Sequence, residues 1–156
     1  MVGLQGSGKS TLVGLLLAAD HVVVSKDHWP NARRREQRQL RVAAEHLLEG
    51  RSVVVDNTNA SVERRAGVVA LAHRLRVPVR AIFVDTPFEV CEQRNARRTG
   101  RSRVPDVGLR ATAQILVPPN VREGFDSVEV VSGLAPGRAP GSRAPTSDES
   151  DLGPER

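Results

Sequence analysis

The chain opens with glycines, a lysine and a serine at the spacing of a phosphate-binding loop. Residues 3–10, GLQGSGKS, match the pattern G-x-x-x-x-G-K-[ST] at every fixed position. Glycines let the backbone curl so that several N–H groups point at phosphate oxygens, and the helix that follows adds its positive N-terminal end. Lys9 is expected to reach the β- and γ-phosphates of ATP, and the Ser10 hydroxyl is expected to ligate Mg²⁺. The predicted nucleotide contacts are Gly3, Gln5, Gly6, Ser7, Gly8, Lys9, Ser10 and Thr11.

A carboxylate follows the next apolar run, in the stretch VVVSKDHWPNARRR that begins at Val22. Ligands of α/β sheets bind beyond the carboxyl ends of the strands, so Asp27 is expected to face the phosphate loop. A carboxylate there can accept the proton of an attacking hydroxyl, which makes Asp27 the candidate general base. The alternative is a loop aspartate that caps the following helix. Arg33 and Arg34, in the arginine block behind Asp27, are the candidate ligands for phosphates of an acceptor.

A third polar cluster ends the apolar run VVVDNTN. Its acid, Asp56, resembles the strand-terminal carboxylate that orders Mg²⁺ through its water shell, so Ser10 and Asp56 are the predicted metal residues. Asn57 and Asn59 are candidate ligands for the γ-phosphate or for the acceptor. The alternative interpretation is a turn in which an asparagine side chain caps the next helix.

Five arginines lie close together in the stretch CEQRNARRTGRSRVPD: Arg94, Arg97, Arg98, Arg101 and Arg103. On a helix, Arg94, Arg98 and Arg101 would share one face. A solvated face is the usual interpretation of such a charge run. P-loop kinases, however, carry a closing lid at this point, where an arginine neutralises the phosphoryl group in transfer. Arg94 and Arg97 are predicted to contact the nucleotide.

Alternating strands and helices must position these side chains. Short β-branched runs predict strands at His21–Ser25, Ser52–Asp56, Arg80–Asp85 and Ser127–Val131, and the first three are apolar enough to be buried on both faces of a parallel sheet. One helix is predicted with an apolar face at Leu40, Ala43, Ala44, Leu47 and Leu48, and another between Ser61 and Pro78. The alternation predicts a three-layer α/β fold, a P-loop NTPase fold with a parallel sheet and an arginine-rich lid. Since only Met1 and Val2 precede Gly3, the first strand is expected to be truncated.

Composition adds a basic charge and few other constraints. The 156 residues carry a net charge of +5, nearly all of it from arginine, which is compatible with nucleotide or nucleic-acid partners. No apolar run approaches the roughly 20 residues of a membrane span. The single cysteine, Cys91, excludes an internal disulfide and predicts a cytoplasmic location. Residues 1–131 are predicted to form one kinase domain, and residues 132–156, which are rich in proline and glycine, a disordered tail.

Together, the four motifs GLQGSGKST, VSKDHWPNARRR, VVVDNTN and CEQRNARRTGRSRVP resemble the polynucleotide 5′-kinase family of P-loop phosphotransferases and their small AAA-type ATP-binding relatives. The resemblance covers residues 2–131 and implies a nucleoside-kinase-like P-loop fold. It also implies transfer of the ATP γ-phosphate to the 5′-hydroxyl of DNA or RNA. By match, Lys9 and Ser10 would serve ATP and Mg²⁺, Asp27 would be the general base, and Arg98 or Arg97 the lid arginine.

Two features depart from that family. Pro30 stands third after Asp27, whereas family kinases often carry an acceptor-binding arginine soon after the base. Aromatic residues make up 3% of the chain, and apart from Trp29 no stacking platform for a single strand is evident. The acceptor is therefore predicted to be a nucleic-acid end or another anionic molecule with a hydroxyl group. A metabolite kinase and a nucleotide-binding module without phosphoryl transfer are the alternatives, and the sequence leaves the oligomeric state open.

Overall fold

The computed structural model describes residues 1–132, so residues 133–156 of the predicted tail lie outside the described residues. The strands are β1 His21–Val24, β2 Ser52–Val55, β3 Arg80–Asp85 and β4 Ser127–Ser132, and the helices are α1 Lys9–Leu12, α2 Arg35–Leu48, α3 Val62–Leu75, α4 Phe88–Ala96 and α5 Asp106–Ile115. A π-helical segment, Val13–Leu17, continues α1, and 3-10 turns form at Lys26–His28, Gly100–Ser102 and Val121–Glu123. β4 includes Ser132, the first residue of the predicted tail.

The strands form a parallel sheet in two halves. β1 pairs with β2 and β3 pairs with β4, both in parallel. Met1 and Val2 join the halves: the Met1 amine donates to the Val55 carbonyl at 3.0 Å, the Val2 N–H donates to Ile82, and the Val84 N–H donates to Val2. The order across the sheet is β1, β2, Met1–Val2, β3, β4. The predicted α/β fold is confirmed, and the first strand is reduced to these two residues.

A gap lies between β2 and β3, below Met1 and at the end of the sheet opposite the phosphate loop. It forms a cavity of about 540 Å³ lined in part by Val53, Arg80 and Ile82. The Met1 amine lies against this cavity and is buried, which lowers its pKa to about 6 because an ammonium group loses its hydration there. The two halves of the sheet are thus hydrogen-bonded to each other only near the carboxyl ends of their strands, where the ligands of such folds bind.

Helices cover both faces of the sheet, as a three-layer fold requires. On one face Leu12 and Leu17, from α1 and its π-helical continuation, pack against Ile82 and Val84 of β3. On the other face Val69 of α3 packs against Ala81. Since successive side chains of a strand point to opposite faces, β3 is buried between two layers. No helix within residues 1–132 is long and apolar enough to cross a membrane.

Burial differs from the predicted pattern in two places. β3 is buried from Ala81 to Val84, but β1 is buried only at Val24 and β2 only at Val54. β1 is an edge strand and β2 borders the gap, so each lacks a neighbour along one side. In α2 the buried positions are Gln39 and Ala43, one turn apart. This orientation turns Leu48, which was predicted to be in the apolar face, toward solvent with 74% of its surface exposed.

A buried ion pair ties α3 to the segments that surround the sheet. The Arg65 side chain is 2% exposed and donates to both carboxylate oxygens of Glu123, at 2.7 Å each. Its Nη1 also donates to the backbone carbonyls of Asn59 at 3.0 Å and Val117 at 2.9 Å. Burial alone would raise the pKa of Glu123, but the hydrogen bonds from Arg65 lower it below its ordinary value. One side chain therefore fixes the segments after β2 and α5 together.

Candidate functional site

The phosphate loop needs glycine for two reasons. Gly3 and Gly6 have φ angles of +144° and +83°, in the region that favours glycine. A Cβ on Gly6 would lie 2.7 Å from the carbonyl oxygen of Cys91, and one on Gly3 would lie 2.8 Å from that of Val84. The loop is therefore packed directly against β3 and α4. Loops with glycines in this conformation can point several backbone N–H groups at one position, which suits a phosphate group.

Lys9 is folded back onto this loop. Its Nζ donates to the carbonyls of Gly3 at 2.9 Å and Leu4 at 2.7 Å, and the residue is 8% exposed. Burial lowers the pKa of Lys9 to about 8, while the nearby charge of Asp56 acts in the opposite direction. The Lys9 ammonium group is thus partly desolvated in the free protein. A bound anion would strongly favour its charged form.

We expect the affinity for ATP to fall as the pH rises above 8, because Lys9 then loses its charge in the free protein. Bound phosphates raise the pKa of Lys9, so binding takes up a proton in this range, and the dissociation constant rises by up to about tenfold per pH unit. Titration calorimetry at pH 7 and pH 9, in buffers of different ionisation enthalpy, measures the affinity and the proton uptake. Lys9→Met is expected to lose both effects, and an affinity independent of pH in the native protein would contradict the assignment.

Ser10, at the end of the phosphate loop, lies beside Asp56, directly after β2, and the two are the predicted metal residues. The Ser10 Oγ donates to Asp56 Oδ2 at 2.8 Å. A hydroxyl and a carboxylate are the hard oxygen donors that Mg²⁺ prefers. Residues 1–132 contain no cluster of three or more His, Cys, Asp or Glu side chains that would hold a metal by themselves. The pair fits a magnesium ion that takes its other ligands from phosphate oxygens and water.

Asp27 lies in the 3-10 turn directly after β1. The buried Ser25 begins this turn, and its Oγ accepts a hydrogen bond from the Asp27 N–H at 3.3 Å. The Asp27 residue itself is exposed. The charges of Asp27 and Arg98 are both close enough to influence the pKa of Lys9, Asp27 raising it and Arg98 lowering it. The fold thus brings a carboxylate, a guanidinium and the loop lysine to the same edge of the sheet.

Residues 56–59 are hydrogen-bonded to the turn that bears Asp27, to α2 and to Met1. The Asn57 Oδ1 accepts from the Lys26 N–H at 3.0 Å, and its Nδ2 donates to Gln39 Oε1 at 2.5 Å. The Asn59 residue is 6% exposed, and its Nδ2 donates to the Met1 carbonyl at 2.9 Å. Asn59 is therefore buried and already bonded within the protein, and its contact with the acceptor or the γ-phosphate stays a prediction. In Asn57 both amide atoms already have protein partners, so the geometry favours a supporting role.

The arginine-rich segment after α4 is a loop with one 3-10 turn, so Arg94, Arg98 and Arg101 do not share a helix face. α4 ends at Ala96. Asn95, which is fully buried, donates to the Val104 carbonyl at 2.7 Å and accepts from the Val104 N–H at 3.0 Å. These two bonds fold the chain back, so that residues 97–103 form a loop closed by Asn95 and Val104, and Arg98 and Arg101 lie outside α4.

The lid arginines occupy different environments. Arg94 remains in α4, and its Nη1 donates to the phosphate-loop carbonyls of Gly6 at 3.3 Å and Ser7 at 3.5 Å. Arg97 and Arg98 are both exposed, and Arg98 donates to the Ser102 carbonyl at 3.4 Å. The charge of Arg98 is among those that lower the pKa of Lys9. Which of Arg97 and Arg98 faces the nucleotide stays a prediction.

The arginines behind Asp27 line the start of α2. Arg33 and Arg34 are exposed, and Arg34 precedes the helix in a left-handed conformation with φ of +54°. Arg38, one turn further along, places its guanidinium 5.1 Å from the centre of the Trp29 ring. A cation at this distance is attracted by the ring. The Arg38–Trp29 pair was not identified from the sequence.

Other supporting side chains also escaped the sequence analysis. Gln39, Asn95 and Arg65 are buried, and Thr86, also buried, donates from its Oγ1 to the Ser7 carbonyl at 2.9 Å. Gln5, a predicted nucleotide contact, donates to Thr112 Oγ1 at 3.4 Å, while its buried Oε1 has no hydrogen-bond partner within residues 1–132. A signal was available for Gln39, since it lies one turn before Ala43 in the buried face of a helix. Thr11 is exposed in α1.

Comparisons with known proteins identify the family of this chain. A family model described as an AAA domain matches residues 1–117. A bifunctional polynucleotide phosphatase/kinase of Schizosaccharomyces pombe is 28% identical over 135 residues, covering 84% of this chain and 32% of the relative. A putative bifunctional polynucleotide phosphatase/kinase of Acanthamoeba polyphaga mimivirus is 32% identical over 139 residues, covering 85% and 32%. The chain therefore spans about a third of the length of these curated relatives.

A solved structure shares the fold. The crystal structure of a sugar kinase from Janibacter sp. HTCC2649 superposes with a TM-score of 0.60 and 19% sequence identity, covering 84% of this chain and 82% of that chain. The kinship with polynucleotide-kinase-like P-loop proteins, predicted from the motifs, is confirmed by the family match and the curated relatives.

Proposed function

We propose that this chain, which belongs to the AAA domain family, is an ATP-dependent kinase that transfers the γ-phosphate to a hydroxyl group. One observation carries the proposal: the turn that bears Asp27 is hydrogen-bonded through Lys26 to Asn57, and the residue before Asn57 is Asp56, whose carboxylate accepts from Ser10 of the phosphate loop. A module that only binds nucleotide has no need of a carboxylate next to the γ-phosphate. A phosphotransferase uses one to accept the proton of the attacking hydroxyl.

Each side chain then has a defined task. Lys9 and the loop N–H groups bind the β- and γ-phosphates, and Ser10 and Asp56 would hold Mg²⁺, which neutralises phosphate charge. The acceptor oxygen forms a bond to the γ-phosphorus while the bond to the β-phosphate oxygen breaks and ADP leaves. The Asp27 carboxylate takes the hydroxyl proton. Arg98 lowers the energy of the phosphoryl group in transfer by neutralising its charge.

The proposed acceptor is the 5′-hydroxyl of a polynucleotide. The names of the two curated relatives support this choice, and so do Arg33, Arg34 and Arg38, which line one helix start with groups suited to phosphates. A small anionic metabolite is the second candidate. It is favoured by the Arg38 guanidinium over the Trp29 ring, because base stacking on that face of Trp29 would first have to displace the cation.

A transfer assay with γ-labelled ATP distinguishes these acceptors. We expect label on a 5′-hydroxyl DNA or RNA oligonucleotide and less on nucleosides or small alcohols. The KM for the oligonucleotide should rise steeply with salt, because arginine–phosphate contacts release counterions. Transfer to no acceptor by a protein that binds ATP would overturn the kinase proposal. Transfer to small alcohols alone would replace the polynucleotide with a metabolite.

The two neighbouring lid arginines provide a matched test of the catalytic assignment. Removing the Arg98 side chain (Arg98→Ala) should lower kcat by about 10²–10³-fold, as for other groups that stabilise transition-state charge. Arg97→Ala removes the same charge one position away and should change kcat by less than about threefold, since a surface charge contributes little. The comparison of kcat at saturating ATP checks the prediction, and the reverse ranking would move the role to Arg97.

A further inference from the structure

We propose that Asn57 and Gln39 are positioning residues that hold the turn bearing Asp27 in register with the segment bearing Asp56. This inference rests on the proposed function, because the pair has a catalytic purpose only if Asp27 is the base. Neither side chain needs to touch ATP or the acceptor. Their role follows from how the two amides are bonded, from their burial and from the elements that they join.

The orientation of the Asn57 amide is fixed by its partners. A backbone N–H can only donate, so the atom that faces Lys26 N at 3.0 Å is the acceptor Oδ1. The other amide atom is then Nδ2, a donor, and it faces the Gln39 Oε1 at 2.5 Å. Gln39 is 2% exposed and is held by α2. The Asn57 side chain thus bridges the base turn and α2, and it has one hydrogen bond to each.

A short chain of bonds connects the two carboxylates through this amide. Ser10 Oγ donates to Asp56 Oδ2, and the next residue is Asn57, whose Oδ1 accepts from Lys26. The residue after Lys26 is Asp27. The distance between the metal-binding acid and the base is therefore set by two peptide links and one hydrogen bond. The strand ladder supports the same register, since the Asp56 N–H donates to the Val24 carbonyl at 3.0 Å.

Gln39 links the Asn57 amide to α2, the helix whose arginines are proposed to bind the phosphoryl acceptor. α2 also carries Arg38, and the Arg38 guanidinium lies over Trp29 in the segment that follows the base turn. A shift of α2 would move the arginines and the base turn together. Removing the Gln39 acceptor would leave the Asn57 Nδ2 without a partner in a largely buried site, which is unfavourable. We therefore expect the turn to loosen when Gln39 loses its carbonyl oxygen, with the phosphate loop unaffected.

The test compares two identical substitutions on one helix. Gln39→Leu removes the acceptor, and Gln37→Leu makes the same change at an exposed position two residues away. Trp29 is the only tryptophan of the chain and lies two residues after Asp27, so quenching of its fluorescence by acrylamide reports on the turn. We expect Gln39→Leu, but not Gln37→Leu, to increase quenching and to lower kcat about 10–100-fold, the scale of a misplacement near 1 Å. The dissociation constant of ATP should stay within about twofold of its original value, because Lys9 and the phosphate loop are unchanged.

Conservative replacement separates positioning from a general structural effect. Gln39→Glu keeps an acceptor oxygen for Asn57 and should restore most of kcat and the native quenching. If Gln39→Leu does not fold, Gln39→Met, which has a similar length and no oxygen, replaces it under the same criteria. Unchanged Trp29 quenching, or an ATP dissociation constant that rises as much as kcat falls, would overturn the inference. If the unmodified protein transfers phosphate to no acceptor, the proposed function fails, and the quenching comparison still decides whether Gln39 holds the turn.

Discussion

Replacing Asp27 with asparagine should lower kcat of phosphoryl transfer by about 10²–10⁴-fold, the usual contribution of a positioned general base. Asparagine has the same shape, and the hydrogen bond from the backbone N–H of residue 27 to Ser25 Oγ does not involve the carboxylate. The turn should therefore keep its conformation while the group that takes the proton is lost. Single-turnover kinetics at saturating ATP measures the effect on chemistry, and calorimetry should find the ATP affinity nearly unchanged.

Asp20 provides the control for this substitution. It is an exposed acid in the turn between the first helical segment and β1, at the opposite end of that strand from Asp27. Asp20→Asn removes the same charge and should leave kcat unaltered. Equal activity of the Asp27→Asn and native proteins would refute the base assignment. A loss of ATP affinity as large as the loss in kcat would instead show that Asp27 acts through nucleotide binding.

Arg65→Leu should destabilise the folded protein by about 3–5 kcal/mol, the cost of leaving a buried carboxylate without its partner. Glu123 would lose both bonds from Arg65, and the carbonyls of Asn59 and Val117 would lose a donor. Denaturant unfolding followed by circular dichroism gives the change in the free energy of unfolding. Because Arg65 holds the segment after β2, we also expect the destabilised protein to lose activity at a lower temperature.

Arg64 is the neighbouring control, since it is exposed on the same helix. Arg64→Leu should change the free energy of unfolding by less than about 0.5 kcal/mol, as surface substitutions usually do. A double variant, Arg65→Leu with Glu123→Leu, removes both charges and should recover part of the loss. A loss below about 1 kcal/mol in Arg65→Leu would mean that solvent reaches Glu123 and that the pair behaves as a surface ion pair.

The sequence was sufficient for features with a local pattern. The spacing of residues 3–10 predicted the phosphate loop. Short runs of β-branched residues predicted strands that end within one residue of those observed. The likeness of Asp56 to a strand-terminal carboxylate that orders Mg²⁺ paired it with Ser10, and their side chains are hydrogen-bonded. These predictions succeed because each depends on neighbouring residues and on one property of parallel sheets.

The sequence was not sufficient for side chains whose partners are distant along the chain. An asparagine after a strand can bind a ligand, cap a helix or bond to another segment, and its neighbours do not distinguish these roles. Asn59 bonds to Met1 and Asn57 to Lys26 and Gln39, partners that only the folded chain brings close. The end of α4 was missed for the same reason. Arginine spacing suggested a continuous helix, whereas Asn95 closes a loop by bonding to Val104.

The gap beside β2 has a practical consequence for anyone who fuses a purification tag to this protein. Residues joined ahead of Met1 would have to leave through the cavity between β2 and β3. Met1 would then donate to the Val55 carbonyl from an uncharged amide N–H instead of from a buried, ionisable amine. A leader of β-branched residues suits such a passage, whereas a charged or proline-containing linker would wedge the two halves of the sheet apart.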